Sequence, residues 1–235
     1  MVHDYSELAD RLERAWSRRI ALRRVSLADG WPLFEATRNP LFNKFLMWDA
    51  PESEQEVLAR IDAIVEAQRR GRLAAMSGVV RTTGEWASLY RFQPYAADPD
   101  VMEMGVWTHH NFWHGRFTLE LAKMCLDVCF AHTEVERLVG AAAPENGGSC
   151  QLMRLLGMTD TELVVRRTES GRKLELQEFE ILRADWTLAE EARARKPTHA
   201  LVPTGAEVAA ARQQAERALR RAARDDADEA LDLAD

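Results

Sequence analysis

Residues 101–130, VMEMGVWTHHNFWHGRFTLELAKMCLDVCF, gather most of the side chains able to do chemistry. The first part alternates: Val101, Glu103, Gly105 and Trp107 fall on one side, Met102, Met104, Val106 and Thr108 on the other. That is the two-residue period of a strand. Glu103 stands among apolar neighbours, where desolvation is expected to raise a carboxyl pKa. His109, His110 and His114 follow in a turn that also holds Phe112 and Trp113. From Arg116 the period becomes helical, with Glu120, Lys123, Asp127 and Glu134 as a narrow polar stripe on an otherwise apolar helix. Such a helix is largely buried. Its first N–H groups and positive dipole end face the loop, which makes them a candidate site for an anion. Cys125, Cys129 and His132 recur at helical spacing and raise the question of a metal. No fourth ligand lies within sequence reach and the setting is apolar, so packing is expected and no metal.

The flanking elements follow from periodicity and punctuation. Tyr5, Leu8, Leu12 and Trp16 recur at helical spacing and predict an amphipathic helix before a first strand at 20–23. Residues 26–37 read as a short helix entered after Ser26, and Pro40 and Pro51 bracket an aromatic-rich connection. Ser53 and Glu56 form a capping box for a second helix with Val57, Leu58, Ile61, Ile64 and Val65 on its apolar face. Residues 73–81 and 86–95 read as a hairpin turning at Thr83-Gly84, and 137–143 as a short strand stopped by Pro144. Residues 146–156 read as a helix ended by Gly157, and 162–168 and 173–183 as two last strands. The sum predicts an α/β fold: a mixed, mostly antiparallel central sheet with helices on both faces.

Length, composition and charge narrow the function. The chain has 235 residues, 46% hydrophobic and 29% charged, enough for one domain with extensions. A formal net charge of −7 argues against general nucleic-acid binding, which rests on cationic neutralisation of phosphates. The acidic start MVHDYSELADRLERAW reads as no secretion signal, and no apolar run is long enough to span a membrane. Three cysteines without a framework spacing favour a reducing cytoplasm. After residue 186 the chain is charged and Ala-rich. A helix opened by Thr204 and Glu207 runs to about Arg224, with Val208 and Leu219 as its only large apolar residues. It reads as a solvated appendage, with a dimerisation or docking arm as the sharper alternative.

The segment around Glu103 resembles the central motif of the GNAT acyltransferases, in particular the RimJ/RimL-type protein N-acetyltransferases. In that family a strand reading E-x-G-x-W/Y runs into W-G-x-G-Y-A-x-E-A. Here Glu103, Gly105 and Trp107 fit the strand, and Trp113, Phe117 and Glu120 fall at matching positions of loop and helix. Downstream, Pro144-Glu145-Asn146 with Ser149, and Leu156-Gly157-Met158, resemble the family's P-E-N-x-x-S and K-L-G-F. Asp185-Trp186 resembles its closing residues at the end of the last strand. The resemblance spans 20–186, leaving 1–19 as an N-terminal amphipathic helix and 187–235 as a charged helical extension.

The resemblance implies acetyl-CoA, or a related acyl-CoA, as co-substrate. Its phosphates would lie on the amides of Trp113, His114, Gly115, Arg116, Phe117 and Thr118. The pantetheine arm would run along Val106, Trp107 and Thr108, with Asn146 and Ser149 near it. Asn146 is equally a good helix N-cap. Arg116 and Thr118 replace the small residues of the family's phosphate loop, and Arg116 offers either a phosphate contact or an obstruction. Glu103 matches the strand carboxylate that takes the amine proton, with a structural pairing to an arginine such as Arg91 as the alternative. His109 and His110 are rival bases. Met153 stands where the family often carries the tyrosine that protonates the leaving thiolate, and it has no proton to give. The implied enzyme is a cytoplasmic N-acyltransferase acting on the amine of a peptide N-terminus or small molecule, with a homodimer left open. The alternatives are a non-catalytic acyl-CoA-binding module, or an enzyme of this fold with an aminoacyl or carbamoyl donor.

Overall fold

The computed structural model describes residues 5–96, 98, 100–113, 117–168 and 170–194. Helix α1 (Tyr5–Glu13) leads to β1 (Ile20–Arg24), and a 3-10 turn, Leu27–Asp29, precedes α2 (Gly30–Thr37). Helices α3 (Pro40–Asn43) and α4 (Glu54–Arg69) come next, then β2 (Ala74–Val80), β3 (Trp86–Pro94) and β4 (Met102–Thr108). A second 3-10 turn, His110–Phe112, leads toward α5 (Phe117–His132). The described elements end with β5 (Arg137–Ala142), α6 (Gly147–Leu155), β6 (Thr159–Arg167), β7 (Lys173–Leu182) and α7 (Arg183–Ala194). The strands form one sheet in the order β1-β2-β3-β4-β5-β7-β6. Every pair is antiparallel except β4–β5. This is the predicted mixed, mostly antiparallel α/β architecture.

Two cores form on the two faces of the sheet. On one, Leu8, Leu12, Leu121, Cys125, Cys129 and Met153 pack against Met76, Tyr90, Phe92, Met102 and Phe179. On the other, Leu33, Trp48, Val57 and Ile61 pack against Ala75 and Leu89, with Trp107 at the margin. Each fully buried Leu or Phe contributes about 1.5–3 kcal/mol. Cys125 and Cys129 are free and fully buried, and burial pushes both thiols up. They are core residues, as their apolar setting predicts. Among the described residues no three His, Cys, Asp or Glu come together as metal ligands, and no helix is long and apolar enough to cross a membrane.

The caps follow the sequence signals. Ser53 Oγ accepts from Glu56 N–H at 3.3 Å, and Glu56 Oε2 accepts from Glu52 N–H at 3.0 Å. Gly84, with φ of 74°, makes the β2–β3 turn, a conformation that costs a residue with a Cβ far more.

Several expectations need correction. Trp16 lies outside α1, 65% exposed beneath the Arg81 guanidinium, 4.4 Å from its ring centroid. Turn bonds from Arg14 and Ala15 N–H to Arg11 and Leu12 C=O end the helix before it. The helix expected over 26–37 is broken into a 3-10 turn and α2. Asp29, fully buried there, accepts from Ser26 N–H, Arg23 Nη1 and Ser77 Oγ, each at 2.9 Å. The connection between Pro40 and Pro51 contains α3, capped by Asn39. Asp185 and Trp186 do not end the last strand; β7 stops at Leu182 and both lie in α7. Trp186 rests on Phe130, ring centroids 5.4 Å apart, and donates to Asp127 at 3.1 Å. The helix read from Thr204 lies outside the described residues.

Candidate active site

Strand β4 is paired differently along its two edges. Toward β3 the ladder runs its whole length, from Met102↔Pro94 to Thr108↔Ser88. Toward β5 only Met102↔Leu138 and Glu103↔Val139 pair, after which the two parallel strands part. The bond from His109 N–H to Ala87 C=O, 2.8 Å, sets the phase of the antiparallel ladder. By the alternation of such a ladder, Glu103, Gly105 and Trp107 turn their backbone groups to β3, and Met104, Val106 and Thr108 turn theirs into the gap. A gap lined by backbone groups can take an extended, amide-bearing ligand as a sheet takes a strand. Of the three residues expected along this track, Val106 and Thr108 are therefore suited to it. Trp107 is not, because its backbone belongs to the β3 ladder.

Beyond the gap stands the N-terminus of α5, where Phe117 and Thr118 occupy the first turn of a 16-residue helix. The first N–H groups of such a helix have no partner within it. Tyr90 Oη donates to the Thr118 carbonyl at 3.1 Å and ties that turn to β3. Phe117 is buried against Phe112, ring centroids 4.9 Å apart. Trp113 precedes the helix and donates its indole N–H to the Thr108 carbonyl at 2.7 Å, so one acceptor of the gap already has a partner. His114, Gly115 and Arg116 lie outside the described residues.

Glu103 faces the α4 side of the sheet. Arg166 Nη1 donates to its Oε1, and Gln93 Nε2 donates to its Oε2 at 2.8 Å. The network continues: Arg166 Nη2 donates to Glu178 Oε1 at 2.9 Å, and Tyr95 Oη donates to the same oxygen at 2.6 Å. Burial pulls the Arg166 guanidinium down, but the hydrogen bonds and charges of Glu103 and Glu178 outweigh it and leave Arg166 above its ordinary range. The arginine that pairs with Glu103 is thus Arg166, not Arg91. Sequence gave no sign of this, because Arg166 lies 63 positions away on the edge strand β6. Above Trp107, Trp48 stacks with centroids 5.1 Å apart and planes within 9°. The loop that carries Trp48 is fastened to the β6–β7 turn: Arg172 Nη2 donates to Leu46 O at 2.7 Å and Ser170 Oγ donates to Asp49 at 2.9 Å.

The histidines divide. His109 is buried, and its Nδ1 accepts from Asn111 N–H at 3.2 Å. Burial and then the neighbouring His110 push its pKa down. It is a turn-capping residue. His110 stacks on it with centroids 4.2 Å apart, and its own Nδ1 has no hydrogen-bond partner among the described residues. At the parting of the strands, Gly140 brings α6 close to β4. A Cβ there would lie 3.1 Å from Met153 Sδ and 3.5 Å from the Met104 carbonyl. Met153 is buried, and its thioether has no proton to give, as the sequence implies. Asn146 caps α6, its Oδ1 accepting from Ser149 N–H at 3.2 Å. Its side-chain NH₂ makes no bond within the cap.

Residues 19–159 match the family model of the acetyltransferase (GNAT) domain. Among solved structures, the chain is similar to a GCN5-related N-acetyltransferase from Brucella melitensis, with TM-score 0.63 and 16% identity over 76% of this chain and 82% of that one. It is also similar to a GNAT-family acetyltransferase from Bacillus anthracis, with TM-score 0.62 and 15% identity over 72% and 98%. A third likeness is to RimL, a ribosomal L7/L12 alpha-N-protein acetyltransferase in complex with coenzyme A: TM-score 0.61, 14% identity, covering 71% and 95%. At these identities the likeness is one of fold. No curated protein sequence matches significantly. The family model takes in more than half of the 235 residues, strand gap and helix terminus included, and the chain therefore belongs to the GNAT acetyltransferases.

Proposed function

We propose that this acetyltransferase moves an acetyl group, or a related acyl group, from CoA directly to a primary amine. The acceptor is the amine of a peptide N-terminus, an amino acid or a small molecule. The observation that carries the reading is the parting of β4 from β5 after Glu103, with the backbone groups of Val106 and the N–H of Thr108 turned into the gap and the start of α5 beyond. The pantetheine amides pair with that edge, and the phosphates lie at the Phe117–Thr118 turn, where orphan N–H groups and the helix dipole favour anions. The acyl-CoA supplies the activated thioester. The protein's part is to align it and to offer gap-facing N–H groups to the carbonyl oxygen as negative charge develops there.

An amine attacks only as the free base. Glu103 is the proposed acceptor of its proton, directly or through water. A carboxylate has about four lone-pair positions, of which Arg166 and Gln93 take two, so capacity remains. His110 is the rival. The leaving thiolate needs no acid at Met153, since thiols ionise near pH 8.5 and a thiolate departs unaided. Asn146 keeps a donor for the pantetheine arm while it caps α6, and Ser149 lies in that helix's first turn. Three free cysteines suit the reducing cytoplasm as the working compartment.

The test is thermal unfolding with and without CoA, then CoA release from acetyl-CoA with a panel of amines and N-terminal peptides. Ligand at a hundred times its dissociation constant stabilises by about 2.7 kcal/mol, a readily measured shift. No shift with millimolar CoA would sink the reading. Binding without release to any acceptor would favour the non-catalytic alternative, which the Met153 thioether and the Trp113–Thr108 bond motivate.

A further inference from the structure

Arg91 is an unusual residue on the α4 side of the sheet. It stands on the interior strand β3, next to β4 and directly across the ladder from Gly105. Its Nε is buried, and its guanidinium makes no hydrogen bond or ion pair among the described residues. What it touches is the Trp107 ring, 5.5 Å from the centroid. The anion that acts on it is Glu103, whose two oxygens are held by Arg166 and Gln93. A second cation, Arg60, lies over the other member of the tryptophan pair, 4.3 Å from the Trp48 ring. Burial lowers the Arg91 pKa most, Glu103 opposes that, and Arg60 adds to it.

A partly buried cation without an ion partner, with another cation beside it, is costly. The space in front of it is open. A Cβ built on Gly105 would meet no atom within 4 Å. Glycine at this β4 position therefore leaves room between Glu103 and Trp107, beside the gap where the reacting amine must arrive.

Resting on the acyl-transfer reading above, we infer that Arg91 is the anion-binding subsite of the acceptor site, holding a carboxylate carried a few bonds from the amine that is acylated. Adjacent strands are about 4.8 Å apart. An amine at the gap edge of β4 and a carboxylate over β3 are thus separated by little more than one strand spacing. The long Arg91 side chain covers part of that distance, so the α-carboxylate of a free amino acid comes within its reach, and so does the side-chain carboxylate of an acidic residue at a peptide N-terminus. Arg91 and Glu103 divide the work: one holds the negative end of the acceptor, the other faces its amine.

The experiment uses matched acceptors that differ by one carboxylate. The pairs are L-alanine with L-alaninamide, and the C-terminally amidated peptides Asp-Ala-Ala and Asn-Ala-Ala. CoA release is measured for wild type and Arg91→Met. The wild type should prefer one carboxylate member by about 10–100-fold in kcat/KM, the worth of a charged hydrogen bond, and Arg91→Met should collapse that ratio. The pair that discriminates identifies the source, free amino acid or acidic N-terminus. Equal use within both pairs, or a preference that survives Arg91→Met, overturns the assignment. If nothing is turned over, the acyl-transfer reading fails by itself. Calorimetry of the CoA-saturated protein with the N-acetylated forms of the same four compounds then decides the subsite. Tighter binding of a carboxylate form, lost in Arg91→Met, supports it, and indifference overturns it. Thermal unfolding separates a structural role. Loss of an unpaired cation should leave the Tm unchanged or raise it, whereas a fall with equal loss on charged and neutral acceptors overturns the proposal.

Discussion

On β4, Met102 and Met104 face the core beneath α5, while Glu103, Gly105 and Trp107 face α4. The first face holds Leu121, Cys125, Cys129, Phe130 and Phe179, all 2% exposed or less, with no charged side chain among them. The second carries a carboxylate on β4, an arginine and a glutamine on β3, and a second arginine reaching in from the edge strand β6. A charged group taken out of water costs several kcal/mol unless it is paired, so a fold tolerates this arrangement only where it serves something else. On the acyl-transfer reading proposed above, one face of a single strand serves stability and the other chemistry, and substitutions on the two should fail in different assays.

The largest expected effect is on the polar face. Glu103→Gln keeps the shape and the Gln93 side of the network but removes the base. It should lower turnover by roughly 10²–10⁴-fold, with CoA affinity nearly unchanged in a thermal-shift titration. Unimpaired turnover would move the base to His110 or to solvent. On the apolar face, Leu121→Ala should cost about 2–5 kcal/mol in urea denaturation, because Leu121 is fully buried. Turnover per folded molecule should stay close to wild type. A loss confined to catalysis would show that the two faces are not separable in this way.

Arg166→Met probes the join between them. It leaves Glu103 and Glu178 without their cation, which for a buried pair costs about 3–5 kcal/mol. Arg166 is 27% and Glu103 13% exposed, so the low end, about 3 kcal/mol, is expected. Turnover should fall as well, since Glu103 loses the group that orients it. A variant as stable as wild type would mean that the network is a solvated surface cluster.

The sequence carried the fold better than the site, for physical reasons. Strand β4, α5 and the capped helix α4 were legible because alternation, an apolar circumference and a Ser-x-x-Glu box are local patterns. The break at Asp29 was not, since it depends on Ser77, 48 positions away. Nor was the end of β7: Trp186 closes onto Phe130 through helix α7, and local patterning does not say which of strand or helix carries it there. In the site, Glu103 and the gap-facing residues followed from one motif. Arg166, Gln93 and Glu178 are brought to Glu103 only by strand order, β3 on one side and β7 and β6 on the other. Trp48 and Arg60 belong to a loop and a helix whose meeting with β4 no spacing encodes.

The smallest expected effect concerns Asn146, which both the fold and the ligand could claim. Its Oδ1 accepts from Ser149 N–H at 3.2 Å, an ordinary N-cap of α6. Losing such a cap costs about 1 kcal/mol, and Asn146→Ala should show that loss in chemical denaturation. Asn146→Ser keeps a side-chain oxygen for Ser149 N–H but has no amide NH₂ to offer a pantetheine carbonyl. If Asn146 serves only as a cap, the serine variant restores stability and binds CoA like wild type. If it also serves the ligand, the serine variant is as stable as wild type yet binds CoA more weakly. The expected deficit is about 0.5–1.5 kcal/mol, the net worth of one neutral hydrogen bond. The second outcome is expected, because α6 is joined to the open edge of β4 through Gly140, where Met153 and the Met104 carbonyl both crowd the glycine. Equal CoA affinity in wild type and both variants would assign Asn146 to the fold alone and move the pantetheine contact to the backbone of Val106 and Thr108.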